Sequence, residues 1–438
     1  MQNYCTMKNT LLILSLILSG ASIAQNIEKC LSHKAIEYQE SLTPGFTQHV
    51  NNTFNAAKAY PVNQEAKSGN HVIPVVVHIV YNTPEQNIPD SVIHNQIMVL
   101  NQDYNRWNAD TVNMRPEFDI VKGSMGIEFK LAQIDEFGAP TTGITRTQTA
   151  TTSFGSLAIL GGDFSDLEKI KSSADGGIDP WDQTRYLNIW VGNMSVFGIT
   201  ALLGYATPPA GLPNWPPGST PNLSDGVVIQ YEAFGSNNPN DLDPGSGPVD
   251  VRGRTAVHEV GHYLGLRHIW GDGDCTAEDG IDDTPNADNQ SNSDCDPSKN
   301  TCTDNIQGQD LPDMIENFMD YSAETCQNSF TQGQVDLMNG VLEVERYDLV
   351  HNNPAAIDEV ETATISVYPN PTNGLINLTN ESTISDVHLI DLTGKVVKEI
   401  ASVKPYGSID LNGLYNGVYI LKFKQDDLRS KTIRIVKQ

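Results

Sequence analysis

The chain has 438 residues, with 54 acidic against 27 basic side chains and a formal charge of -27. That length is enough for two or three domains and a sizeable core. The acidic excess argues against nucleic-acid binding, which needs a basic surface, and suits a soluble extracellular protein with carboxylates to spare for calcium.

At the N-terminal end, Lys8 precedes the apolar run Leu11–Leu18, and Ser22, Ile23 and Ala24 supply small residues at cleavage spacing. The run is too short to span a membrane and predicts a Sec signal peptide over residues 1–24, with Met7 as an alternative start. No stable membrane span is expected elsewhere. Residues 25–66 read as a polar pro-segment with one helical stretch around Ile36 to Glu40 and too few apolar residues for a core of its own. Cys30 stands alone in it. A thiolate is a good zinc ligand, so this residue is either an incidental thiol or a cap for a metal site downstream.

The main domain is expected over residues 67–352. Val72 to Tyr81 is a continuous β-branched run, as in a strand buried on both faces, and His78 inside it reads as a packed core histidine. Asp90 to Tyr104 carries Val92, Ile93, Ile97, Leu100 and Tyr104 at helical spacing, with Asp90 or Ser91 as N-cap. Gly126–Ile134, Tyr186–Val191 and Gly226–Tyr231 read as strands, whereas Gly198–Ser224 is rich in Gly and Pro and reads as an irregular rim. This order describes an α/β (α+β) domain with a mixed sheet and a motif helix beneath it.

That helix carries His258-Glu259-Val260-Gly261-His262, followed by Gly265 and His268. Two histidines four apart share one helix face. Gly265 can end the helix and turn the chain, which returns His268 to the same point. Three neutral imidazoles on one spot make a zinc site with one position open, and Glu259 beside it is a general base. Five fixed residues match by chance on the order of one time in 10⁵ in a chain of this composition. Zinc lowers the pKa of bound water and polarises a carbonyl, so the expected chemistry is hydrolysis. A binding module with a relic site is the rival from another class, but all three histidines and Glu259 are intact. A small-molecule hydrolase is a further rival, and the long chain before the motif favours a cleft for protein or peptide substrates.

Beyond the motif, Asp272, Asp274, Glu278, Asp279, Asp282 and Asp283 crowd among Gly271, Gly273 and Gly280. Such a loop suits calcium, though no EF-hand spacing is present, and a solvated acidic loop is the plain alternative. Cys275, Cys295, Cys302 and Cys326 cluster around it, suggesting two disulfides in one of three pairings; a four-thiolate zinc site lacks the usual C-x-x-C pairs. Asn317-Phe318-Met319-Asp320-Tyr321 is a candidate methionine turn, with Met319 as floor of the zinc site and Tyr321 within reach of a reacting carbonyl. A helix over about Thr331 to Tyr347 closes the domain. Residues 353–364 read as a linker. Residues 365–438 carry short alternating strands separated by turn residues, a small all-β sandwich without clustered catalytic side chains.

The H-E-x-x-H-x-x-G-x-x-H pattern with the methionine turn resembles the metzincin clan, and most closely the pappalysin family of ulilysin-like bacterial zinc endopeptidases. Ile73–His78, Val99–Tyr104, Asn188–Val191 and Asp282–Pro285 extend the likeness over residues 70–350. The resemblance implies zinc ligation by His258, His262 and His268, Glu259 as general base, Met319 as the turn methionine and Tyr321 as transition-state stabiliser. It also implies disulfides Cys275–Cys302 and Cys295–Cys326, calcium near Asp279 and Thr284, and Cys30 capping the zinc of a zymogen. Where members that cleave before basic residues place an acid just before the last cysteine, this chain has Thr325, which argues against that preference. The tail, with Val367–Pro371, Asn373-Gly374, Gly417–Tyr419 and a basic end at Lys431 to Lys437, resembles the type IX secretion sorting domain. That implies export by the type IX machinery and a secreted or surface location.

Overall fold

The computed structural model describes residues 28–61, 71–211, 224–351, 367–379, 383–391, 395–424 and 430–438. The expected signal peptide and linker lie outside the described residues. Two compact units divide between Ala355 and Ala356.

In the first unit, strands β1 (Glu28–Cys30), β2 (His71–Tyr81), β3 (Ile127–Leu131), β4 (Ile144–Gln148), β5 (Leu187–Gly192), β6 (Leu202–Ala206) and β7 (Val227–Gln230) form one seven-stranded sheet. Its main helices are α1 (Ser32–Leu42), α2 (Phe46–Lys58), α3 (Asp90–Tyr104), α4 (Arg254–Tyr263), α5 (Gln332–Val344) and α6 (Tyr347–His351). The order is β1-β6-β7-β5-β2-β3, with β4 alongside the second half of β2. Every pairing is parallel except β6 with β7. Parallel strands are covered on both faces, which is why β2 reads as an unbroken apolar run. Ile73, Val75, Val77 and Ile79 join the core under α3 and α4, while Val80 packs with Trp190 and Tyr205 on the other face. His78 is buried between Thr145 and Asn188.

Three details depart from the sequence reading. Helix α3 starts after Pro89 with no side-chain cap; Asp90 is its first residue, pairs with Arg146, and complements the helix dipole. The irregular rim contains β6, whose five residues are all buried. Its apolar run, Ala201 to Ala206, is flanked by Gly and Pro that mask the signal. The described part of the expected pro-segment, residues 28–61, is more structured than its composition suggests. The stretch near Ile36 belongs to α1, and α2 follows it. Phe54 and Ala57 of α2 bury themselves in the core of the main domain, so the segment borrows a core it cannot build. Gly340 of α5 permits this close packing, since a Cβ there would lie 2.2 Å from the Ala57 carbonyl oxygen.

Helix α5 is capped by Thr331, whose hydroxyl accepts from the Gln334 N–H while the Gln334 side chain returns to Thr331. Cys275 is bonded to Cys302 and Cys295 to Cys326. These bonds hold a long stretch with little regular structure, each worth about 3 kcal/mol in the chain-entropy view.

The second unit contains β8 (Val367–Tyr368), β9 (Leu375–Leu378), β10 (Ile384–Asp391), β11 (Val396–Val403), β12 (Ser408–Asp410), β13 (Gly417–Lys424) and β14 (Ser430–Lys437). They make a four-stranded sheet β11-β10-β13-β14 and a three-stranded sheet β12-β9-β8. Ile376, Leu378 and Ile409 from one sheet meet Leu389, Leu421, Phe423 and Ile435 from the other in a single apolar layer, as in a sandwich.

Candidate active site

Helix α4 is buried along its whole length. It follows Gly253 in a left-handed conformation and has no capping side chain of its own. Glu324 supplies the cap from a distant loop, accepting the N–H groups of Arg254 at 3.2 Å and Thr255 at 2.9 Å. A carboxylate at this end also offsets the helix dipole. At the other end, Arg346 donates to the Tyr263 carbonyl at 2.9 Å, stacks on its ring at 3.4 Å, and pairs with buried Asp225.

His258 and His262 lie one turn apart. Gly265, at φ 93°, reverses the chain, and the Leu266 N–H closes the bend on the Gly261 carbonyl at 2.9 Å. His268 then reaches the other two histidines. Each imidazole is oriented through Nδ1: His258 to the Phe318 carbonyl at 2.7 Å, His262 to the Leu266 carbonyl at 2.8 Å, His268 to Asp272 at 2.6 Å. With a proton on each Nδ1, each Nε2 presents a lone pair. The Nε2 of His262 stands 3.1 Å from that of His258 and 3.1 Å from that of His268. Three converging lone pairs cannot hydrogen-bond one another; they suit a cation. Burial holds His258 well below the usual histidine pKa and His262 near 3, so both imidazoles stay neutral. This donor set fits zinc.

Cys30 of β1 joins them: one ligand atom from each of Cys30, His258, His262 and His268 lies within 4.8 Å of the others. Its thiol is 3.4 Å from Glu259 Oε2, which also accepts from the Ser32 hydroxyl at 3.0 Å. Glu259 Oε1 is buried with no partner among the described residues. Burial raises the Glu259 pKa to about 8, against the opposing hydrogen bonds from Cys30 and Ser32. Opposite it, Gly204 of β6 leaves the room it needs, since a Cβ there would sit 2.9 Å from Glu259 Cγ. Neither Ser32 nor Gly204 was singled out from sequence; a lone Ser and a strand Gly carry no pattern.

Met319 is fully buried against helix α4, and its sulfur would be 2.5 Å from a Cβ on Gly261, between the two helix histidines. Gly261→Ala should therefore destabilise the fold by about 1–3 kcal/mol through overpacking, read as a lower thermal midpoint. An unchanged midpoint would show that Met319 can yield. The Tyr321 hydroxyl donates to the Cys30 carbonyl at 3.1 Å, and its ring centroid lies 5.6 Å from that of His258 and 5.1 Å from that of His268.

A cavity of about 330 Å³ adjoins His258 and Glu259, lined by Leu203, Leu242, Val251, Thr255 and Thr325. Lys29 enters it, its ammonium donating to the Tyr321 and Ser322 carbonyls at 2.6 and 2.7 Å. Burial lowers its pKa to about 8, partly opposed by Glu324, Asp320 and Asp294.

The acidic loop does not act as one unit. Asp272 orients His268, Asp274 accepts from Thr276, and Asp282 pairs with Lys58. Asp279 and Thr284 lie apart from the histidines. Asp279 Oδ1 accepts the Ile281 N–H at 2.8 Å and Asp283 Oδ2 the Gly333 N–H at 2.9 Å, while among the described residues no well-aligned hydrogen bond meets Asp279 Oδ2, Thr284 Oγ1 or Asp283 Oδ1. Burial raises the Asp279 pKa to about 8.

Residues 242–343 match the family model described as Pregnancy-associated plasma protein-A, and residues 366–438 match the secretion system C-terminal sorting domain. An extracellular metalloprotease of Arthroderma benhamiae is 27% identical over 325 residues, covering 74% of this chain and 89% of the relative. Mature mirolysin of Tannerella forsythia, solved with a cleaved peptide, is 40% identical with a TM-score of 0.54, covering 65% of this chain and 97% of that one. A promirolysin mutant from the same organism is 37% identical with a TM-score of 0.59, covering 73% and 96%. Among the described residues, no helix is long and apolar enough to cross a membrane. With the histidine cluster, the family match and the sorting tail, the chain belongs to the pappalysin family, as a zinc metalloendopeptidase that acts outside the cell or at its surface.

Proposed function

We propose that this chain is made as a latent precursor whose mature form cuts proteins with His258, His262 and His268 as zinc ligands and Glu259 as general base. The observation that carries this reading is the convergence of three Nε2 atoms beside a buried, half-unpartnered carboxylate at the edge of a cavity. When bound, zinc supplies Lewis acidity and an acidified water. Glu259 takes the water's proton and returns it to the leaving amine. The Tyr321 hydroxyl, freed from the Cys30 carbonyl, hydrogen-bonds the developing oxyanion. Met319 and the three Nδ1 contacts hold the imidazoles still.

In the precursor, residues 25–66 keep the site closed. Cys30 would hold the zinc together with the three histidines, and β1 occupies the edge of β6 where an extended substrate would pair by its backbone. Lys29 in the adjoining cavity supports a substrate with a basic side chain flanking the cut bond, against the reading drawn from Thr325. Glu324 does not supply that preference directly, because its carboxylate is engaged in capping α4. Residues 1–24 act as the signal peptide, 67–352 as the catalytic domain, 353–364 as the linker, and 365–438 engage the type IX secretion machinery.

Calcium binds at Asp279 and Thr284. Their buried oxygens, Asp279 Oδ2 and Thr284 Oγ1, have no well-aligned donor among the described residues, and a buried carboxylate in that state is costly unless a cation meets it. Millimolar calcium should raise the thermal midpoint of the wild type and leave that of Asp279→Asn unmoved. An equal rise in both would place calcium elsewhere.

The test of the whole reading is casein digestion by the mature form with and without a zinc chelator. Cleavage should stop with the chelator and return on adding zinc. Cleavage indifferent to the chelator, or none at all, would contradict it.

A further inference from the structure

Among the described residues, a second cluster of metal-binding side chains lies outside the active site. His71 opens β2, Glu343 sits in the last turn of α5, and His351 ends α6. Their ligand atoms lie within 4.8 Å of one another. His71 Nε2 is 3.0 Å from Glu343 Oε1, and His351 Nε2 is 3.1 Å from Glu343 Oε2. The two imidazole rings stand edge to face at 5.6 Å, and Tyr347 stacks on His351 at 4.2 Å, fixing its orientation. None of the three lines the cavity beside Glu259.

We propose that His71, Glu343 and His351 form a second site for a divalent transition metal, zinc or a close relative, which ties the first long strand of the catalytic unit to its last helix. Two imidazoles and one carboxylate make a ligand set suited to such ions, with a fourth position for water. Both histidines already turn Nε2 toward the same carboxylate. The Glu343 and His71 side chains are only 15% and 16% exposed, so the carboxylate sits largely out of water, where a divalent ion held with both rings would neutralise it. The competing arrangement is a metal-free carboxylate bridging two imidazole N–H groups. It makes one hydrogen bond to each ring and leaves the charge in place.

The position gives the ion a mechanical role. Residue 71 follows the pro-segment and residue 351 precedes the expected linker, so the metal clamps the two ends of the catalytic unit together. A protease whose chain ends are held down offers fewer openings to its own active site.

The experiment uses the full chain, stripped with a chelator, reloaded with excess zinc and dialysed, with bound metal measured by mass spectrometry. Wild type should retain two zinc ions per chain; Glu343→Gln and the more exposed His351→Asn should each retain one. Both variants should keep chelator-sensitive casein cleavage once processed, which separates loss of this site from loss of the fold. Zinc added to the stripped chain should raise the thermal midpoint in two saturable steps for wild type and one for the variants. One ion in the wild type, or two in both variants, would overturn the proposal.

Discussion

Replacing Glu259 with Gln should lower the rate of peptide hydrolysis by about 10²–10⁴-fold, the usual worth of a general acid–base group, while leaving zinc content unchanged. The amide keeps the size of the carboxylate and still fits opposite Gly204, but it cannot take a proton from water. No histidine contact depends on it, since the three Nδ1 atoms are held by the Phe318 and Leu266 carbonyls and Asp272. Measured kcat on a casein-derived peptide, alongside zinc by mass spectrometry, separates a chemical defect from a lost metal. Undiminished kcat would remove Glu259 from the mechanism. Parallel loss of zinc would mean that its role is structural.

The second large effect concerns Cys30. Cys30→Ala in the full chain should convert a silent precursor into one that digests casein and trims its own pro-segment without a lag. The thiol competes with substrate at an effective concentration of order millimolar, so a ligand of about micromolar affinity would suppress activity about 10³-fold. Its loss also removes a hydrogen-bond partner of Glu259. Helices α1 and α2 stay packed on the body, so some obstruction by the segment persists, and the gain should be smaller than the full ratio. A Cys30→Ala precursor as silent as wild type would show that β1 blocks the edge of β6 by itself and that the thiol adds nothing.

Much of the architecture was legible because the strongest patterns coincide with complete burial. Strand β2 reads from its β-branched run because both its faces are covered, and α3 reads from apolar spacing because one side lies on the sheet. Strand β6 was not legible: five buried residues between Gly and Pro segments leave no period to detect. Helix α2 was missed for a related reason. Its apolar residues are few, and their burial depends on Gly340 of α5, nearly 300 positions away in the sequence. At the site, the spacing of three histidines follows from helix geometry and one glycine, which are local. The remote cap from Glu324, the space kept by Gly204 and the seating of Lys29 are tertiary facts with no local signature. The acidic loop shows the converse, for its clustered acids serve several separate partners.

The proposed latent zinc site is tested most directly by zinc K-edge absorption on the intact precursor carrying one equivalent of zinc, with Cys30→Ala as reference. The expected spectrum has nitrogen neighbours at about 2.0–2.1 Å and one sulfur at about 2.3 Å, the sulfur absent from the variant. A precursor spectrum with only nitrogen and oxygen neighbours, identical to that of Cys30→Ala, would contradict it.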